Sequence, residues 1–449
     1  MTSGVGTKKL GAFLATMLVA GNMIGSGVYL LPSSLGAVGS ISILGWGVAV
    51  LGAALLALAF SALTILRPKG TGLISHVREA FGPGSAFIWG VLYWGACWTG
   101  NVAIALAVTG YVAYFLPALA TPPGATFLTV GILWLFTAAN IVGPRFVARF
   151  EGGTLLIGLA PVLLIALGGW FYFDPAVFAA SWNVTGKPFW DTMPQSVVMV
   201  FWAFLGIESA NIIAPLVRDP VRDVPRATLG GLAIAALVYM SACGAIMGIL
   251  PAADLAASSA PFADAAKPLV GASLAAIVAL CAMLKASGTV GGWILVSAET
   301  WGADEVLGLL LRRSPARRNG ASGGGPSVAN LLFNGALMSL AAVATASPNL
   351  ARQFTVVADV SVILCMFLYA AACAALIRLS GERSPRWRLG ARALAVGSIL
   401  FCAWVASVSE IELLAWCVAS IVAVILLYLP LAWWRRRVVD RAAAASLGS

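Results

Sequence analysis

"AGNMIGSGVY", residues 20–29, lies inside the first long apolar run of the chain and interrupts it with three glycines, an Asn and a Ser. A helix that merely crosses a bilayer has no use for such a stretch. Non-helical backbone at membrane depth is tolerated only where protein buries it or where it lines a cavity. The run therefore predicts a helix broken in its middle.

The rest of the chain supplies the membrane setting. Of 449 residues, 61% are hydrophobic and 10% charged, and mean hydropathy is +0.96. Runs of about 20 apolar residues, the length needed to cross about 30 Å of hydrocarbon, recur from end to end. The pattern predicts an all-α integral membrane protein with twelve spans near 11–36, 42–66, 83–116, 125–143, 153–173, 194–216, 227–250, 271–300, 327–346, 354–377, 393–409 and 412–434. No cleavable leader is expected, because the first apolar run carries Asn22 and lacks a small-residue cleavage site before polar sequence. With the N-terminus inside, every one of the 27 lysines and arginines except Lys187, Lys267, Arg352 and Lys285 falls in a cytoplasmic segment. That asymmetry predicts a multi-pass protein of the bacterial inner membrane with both termini in the cytoplasm. It also accounts for the net charge of +10, since the basic residues sit at helix ends, so no nucleic-acid partner is expected. The stretch "RNGASGGGPS" after Arg317 has the composition of a flexible loop. Cys97, Cys243, Cys281, Cys365, Cys373, Cys402 and Cys417 all lie in apolar runs without metal-ligand spacing and read as small packing residues, with no metal or cofactor expected.

A second interruption answers the first. "FWAFLGIESAN", residues 201–211, places Gly206, Glu208 and Ser209 inside the sixth span, five helices after the first break. Breaks at matched positions in two five-helix halves point to an inverted-repeat transporter, with repeats near 11–173 and 194–377 and two extra helices near 393–434 in a single domain covering 1–449. The competing explanation, glycines that only let helices pack closely, leaves the neighbouring polar residues without a purpose. Glu208 stands out independently, because an acid inside a span is costly and marks a pathway. Trp202 and Trp293 flank glycines deep within spans, whereas Trp98, Trp190, Trp433 and Trp434 lie near helix ends, as interfacial anchors do.

At these residues, and in "VLYWGACWTGN" (91–101), "NIVGP" (140–144), "APFADAA" (260–266), "GGW" (291–293) and "VSVI" (360–363), the chain resembles the bacterial arginine/agmatine antiporters of the basic amino acid/polyamine antiporter family, in the amino acid-polyamine-organocation superfamily. The likeness covers nearly the whole chain. It implies exchange by alternating access of a cationic amino acid for its decarboxylated amine, and a homodimer in the lipid membrane. It also implies that the substrate's α-amino and carboxylate groups meet the two breaks at Asn22, Ile24, Ser26, Gly27, Trp202 and Leu205. The guanidinium end would meet Ala96, Cys97 and Asn101, with Trp202 and Trp293 enclosing the stem and stacking on the head, and Ser361 adding a polar contact. Tyr93, Glu208 and Tyr369 match a hydrogen-bonded gate.

The chain departs from that pattern in three places. Lys285 and Asp359 stand inside the eighth and tenth spans, where each alone would be expensive; together they suggest a compensating ion pair. "RPKGTGLISHV", residues 67–77, keeps only part of a glycine pattern and places the sole histidine, His76, at the start of the third span. That histidine is either a proton sensor or an ordinary interfacial residue, and acid activation is open for that reason. The leading expectation is an arginine/agmatine exchanger that consumes cytoplasmic protons and so supports acid resistance. The rivals are exchange or proton symport of lysine/cadaverine, ornithine/putrescine or neutral amino acids, and a non-transporting sensor. An enzyme is not expected, for want of a metal cluster or a nucleophile with its base.

Overall fold

The computed structural model describes residues 9–24, 26–68, 70, 72–212, 214–302 and 327–447. Side chains of Ser26, Ile212, Pro215, Gly302 and 431–447 are not described, so the anchoring expected of Trp433 and Trp434, like the loop after Arg317, falls outside what is described. Helices account for the architecture: α1 (Ala12–Met23), α2 (Leu31–Gly36), α3 (Ser42–Leu66), α4 (Gly72–Phe81), α5 (Pro83–Phe115), α6 (Gly124–Val142), α7 (Pro144–Leu163), α8 (Pro175–Ala180), α9 (Phe189–Phe201), α10 (Ser209–Ile212), α11 (Pro220–Ile249), α12 (Ala252–Ala257), α13 (Pro261–Gly302), α14 (Val328–Ala344), α15 (Leu350–Leu379), α16 (Pro385–Ser407) and α17 (Ile411–Leu447). Among the described residues ten helices are long and apolar enough to cross a membrane, and Ala12–Met23 and Val328–Ala344 are shorter apolar ones. Each of the twelve expected spans overlaps one of these helices, although several begin earlier than expected, α7 at Pro144, α13 at Pro261 and α16 at Pro385.

The first span is α1 and α2 separated by a break, and the sixth is α9 and α10 separated by another. Packing follows a rule of five. The fifth span lies against the eighth as the tenth lies against the third, and the first lies against the seventh as the sixth lies against the second. Two five-helix halves produce paired contacts of this kind. α16 and α17 stand outside the scheme and pack on α3, α5 and α15.

Close approach depends on small residues. Gly231 of α11 receives Val19 and the Ala20 backbone of α1, and on α13 Gly288 and Gly291 receive Thr154 and Val147 of α7. Dispersion contacts and small-residue interfaces hold such bundles together, because lipid tails are as apolar as Leu. Large apolar side chains cover the outside, among them Leu51, Phe127, Leu400 and Trp416. Trp190 is also well exposed, as its end-of-span position implied, whereas the Trp98 indole nitrogen is buried.

α4 is absent from the list of expected spans because it is not one. Its buried residues Leu73, His76, Val77 and Ala80 face inward, and it packs on α5 and α15 between the second and third spans. Arg67 before it joins Glu79 on α4 and reaches Glu382 after α15 at 3.1 Å.

Candidate functional site

Both breaks arise from backbone that cannot continue a helix. At the first, Ile24 takes φ −72°, ψ 57°, and the chain turns through Ser26–Val28 before resuming at Leu31. At the second, Leu205 is extended and Gly206 has φ +103°, a conformation that only glycine adopts without strain. The breaks lie side by side. A Cβ on Gly206 would sit 3.9 Å from the Asn22 carbonyl, and one on Gly27 would sit 2.6 Å from the Trp202 indole nitrogen. Glycine at 27 is thus what lets the Trp202 indole cross the first break.

Freed backbone groups find partners from elsewhere. The Tyr239 hydroxyl of α11 donates to the Met23 carbonyl. Beyond the sixth break, Asn211 donates to the Phe60 carbonyl at 2.9 Å and to Thr64 Oγ1 at 2.8 Å, tying α10 to α3. The segment before α1 pairs with the segment after α10, Leu10 N–H to the Leu216 carbonyl at 2.8 Å and Arg218 N–H to the Leu10 carbonyl at 2.9 Å.

Between the breaks is a cavity lined by Asn22, Met23, Gly27, Tyr93, Ala96, Cys97, Gly100, Ile104, Trp202, Ala203, Leu205, Glu208, Thr289, Trp293 and Cys365. Nine of the expected site residues line it: Asn22, Gly27, Tyr93, Ala96, Cys97, Trp202, Leu205, Glu208 and Trp293. Glu208 is the acid in this wall and is 4% exposed. It accepts from Tyr93 Oη at 2.9 Å, Tyr369 Oη at 2.5 Å and the Gly206 N–H at 3.1 Å. One carboxylate therefore joins the third, sixth and tenth spans at the break. The Trp202 indole stands edge-on to Phe354 with centroids 5.9 Å apart, and its N–H has no protein acceptor.

The remaining expected residues stand just behind. Ile24 is buried at the break, and Ser26 contributes backbone to the turn. Ser361 is fully buried and shares a hydrogen bond with Thr99 at 2.8 Å. Asn101 is fully buried beside cavity-lining Gly100, and neither atom of its amide has a protein partner.

The expected Lys285–Asp359 pair is corrected: among the described residues no salt bridge joins them. Lys285 lies with its stem against Gly158 of α7, and the charge that acts on it is Glu151 of the same helix, whose carboxylate rests on Gly292. Asp359 is buried with Oδ1 unpartnered, and Glu410 is the charge that acts on it. Lys285 thus lies along α7, and the Glu410 carboxylate repels Asp359 rather than pairing with it. His76 is buried rather than interfacial, and both ring nitrogens lack a protein partner. Burial, aided by the Arg67 guanidinium and opposed by Glu79, pulls its pKa down to about 4.

Several lining residues escaped the sequence reading. Gly100 and Ile104 follow Tyr93, Ala96 and Cys97 at helical spacing on one face of α5, and Thr289 precedes Trp293 by one turn on α13, so periodicity carried that signal. Met23 and Ala203 adjoin the breaks. Cys365 lies one turn from both Ser361 and Tyr369. Tyr239 had no local signal, because only the packing of α11 on α1 brings it to the break.

Residues 10–436 match the family described as amino acid permease. The chain belongs to that family. It is 32% identical over 381 residues to the cadaverine/lysine antiporter of Escherichia coli K12, covering 83% of this chain and 84% of that protein. It is 32% identical over 371 residues to the putrescine transporter PotE of the same organism, with 83% and 84% covered, and 30% identical over 370 residues to PotE of Haemophilus influenzae, with 82% and 84% covered. This amino acid permease is therefore a multi-pass membrane protein related to bacterial amino acid and polyamine transporters.

Proposed function

We propose that this permease exchanges extracellular arginine for intracellular agmatine by alternating access, at the cavity between the two breaks. The observation that carries the reading is that Glu208, Trp202 and Trp293 line one cavity beside two unwound segments. The turn at Ser26–Val28 would present peptide N–H groups to the substrate carboxylate, and the Asn22 and Ile24 carbonyls would accept from its ammonium. Glu208 supplies countercharge. Ala96, Cys97, Gly100 and Ile104 of α5 complete the lining, and among the described lining residues Glu208 has no second carboxylate beside it. That suits a delocalised guanidinium stacked on indole, worth about 2 kcal/mol or more when desolvated, better than a compact ammonium that needs its own anion. Asn101, buried behind Gly100 with its amide unpartnered, would add a polar contact.

In this reading the hydrogen bonds of Tyr93 and Tyr369 to Glu208 are the gate. They hold the third, sixth and tenth spans together, and substrate passage requires them to loosen. Exchange moves one more positive charge outward than inward and removes the proton used in decarboxylation, which supports acid resistance. The halves are taken as residues 11–173 and 194–377, with both termini in the cytoplasm of a bacterial inner membrane. A homodimer through the last two helices follows from the resemblance.

A second reading is exchange of lysine for cadaverine, the pair named in one relative, or of ornithine for putrescine, of which the relatives' names give only putrescine. Purified protein in liposomes preloaded with agmatine, cadaverine or putrescine separates the two. Labelled arginine uptake stimulated by internal agmatine supports the first reading, and uptake indifferent to agmatine but stimulated for lysine by cadaverine replaces it with the second.

A further inference from the structure

Two thiols stand in the cavity wall, and the exchange described above makes no use of their reactivity. Cys97 on α5 and Cys365 on α15 both line the cavity, and each is 4% exposed. Their helices are locked together on either side of them. On one side Thr99 and Ser361 share a hydrogen bond at 2.8 Å; on the other Tyr93 and Tyr369 meet on the two oxygens of Glu208. Cys97 lies between Tyr93 and Thr99 in sequence, and Cys365 lies between Ser361 and Tyr369. The side chain of Leu364 also lies against Gly95 of the facing helix. The two bridges therefore hold the thiols at one level of the same helix pair, near enough for one to act electrostatically on the other. Both are free thiols.

We propose that Cys97 and Cys365 form a dithiol site for a soft, two-coordinate metal ion, and that occupancy fastens α5 to α15 across the substrate path and stops exchange. Thiolate sulfur is the ligand that soft d10 ions select. Among the described residues no group of three or more metal-ligating side chains is found, so ions that demand four ligands are poorly served, whereas mercury(II) is satisfied by two. On binding, each thiol loses its proton and one sulfur–metal bond forms at each cysteine as one of the ion's previous ligands, chloride for mercuric chloride, departs; two protons and two chlorides leave and no electrons move. Glu208 is committed to its tyrosines and is not required as a ligand. Because the site lines the same cavity as Trp202 and Trp293, bound substrate shields it. This shielding rests on the cavity being the substrate site.

The probe is mercuric chloride. The parent protein carries Cys243→Ala, Cys281→Ala, Cys373→Ala, Cys402→Ala and Cys417→Ala, leaving the two thiols in question. Native mass spectrometry is expected to show one mercury per chain with both thiols consumed, and exchange in liposomes is expected to be lost at that stoichiometry. Adding Cys97→Ser or Cys365→Ser should raise the mercury needed for half-inhibition at least about tenfold, each variant being compared with its own untreated rate, because the second sulfur acts at high effective concentration. Two mercury ions per chain, one on each thiol, or a double serine variant as sensitive as the parent, overturns the proposal. If the parent does not fold, differential alkylation of the wild-type chain gives the same decision: joint protection of Cys97 and Cys365 by one equivalent of mercury supports the site, and independent protection rejects it. If one mercury binds both thiols but neither arginine nor agmatine slows its binding, the dithiol site stands and the assignment of the cavity to those substrates fails.

Discussion

The two breaks share a geometry and differ in chemistry. The first is assembled from Asn22, Ile24, Ser26 and small glycines, contains no charge, and takes the Tyr239 hydroxyl from α11 onto its Met23 carbonyl. The sixth carries its own acid and its own indole, and Glu208 reaches back to the Gly206 N–H of the same break. One break thus offers backbone dipoles, and the other offers countercharge and an aromatic face. A substrate with a carboxylate, an ammonium and a distal cation needs both kinds. Substitutions at the sixth break should accordingly act on the substrate, and those supporting the first should act on the fold.

The largest effects are expected at Glu208 and Trp202. Glu208→Gln keeps one acceptor oxygen, sets an amide NH2 that can donate to the other tyrosine's hydroxyl, and removes the countercharge. With charge–charge terms of about 1 to 4 kcal/mol at contact, exchange in liposomes should slow by about tenfold or more while the melting temperature in detergent changes little. Trp202→Leu should weaken arginine binding roughly 30-fold, the equivalent of about 2 kcal/mol of cation–π contact. A variant that binds normally but melts early would reverse the comparison. At the first break, Tyr239→Phe leaves a buried carbonyl without this donor and should cost about 1 to 3 kcal/mol of stability, read as a lower melting temperature. Gly206→Ala tests the geometry itself. Space is open around a Cβ there, so the positive φ alone sets a penalty of about 1 to 2 kcal/mol, and a neutral result would mean the break is not held in that conformation.

The smallest effect at neutral pH lies outside both breaks, at His76. Its pKa is about 4 in the folded protein, against about 6.5 for an unperturbed histidine. The unfolded chain therefore binds the extra proton first. Stability should fall as pH drops from about 6.5 to about 4 and fall no further from this group below that, by about 3 kcal/mol in all. His76→Gln should flatten the melting temperature over that interval while leaving it nearly unchanged at pH 7.5. An identical slope in the variant would assign the pH dependence to other groups.

Much of this was legible in the amino-acid order because it is local. Apolar runs marked the twelve spans, glycines among polar residues marked the breaks, and an acid inside a span marked Glu208. Periodicity along one face of α5 would have extended the list to Gly100 and Ile104. What the sequence did not show depends on which helix faces which. Lys285 and Asp359 looked like partners because each was an isolated charge, but Lys285 lies along α7, where Glu151 is the nearby acid, and among the described residues no salt bridge reaches Asp359. Tyr239 resembled any interior tyrosine until α11 was seen against α1. The entrance of the third span is a separate short helix, α4, whose Leu73, Val77 and Ala80 are buried together with His76.

Equilibrium binding of labelled arginine to the purified chain in detergent, compared between the wild type and Trp202→Leu, addresses the shared cavity most directly. One arginine per chain, displaced by agmatine and held roughly 30-fold more weakly by the variant, is the predicted result. Equal affinity in both proteins would contradict a substrate site between the first and sixth spans.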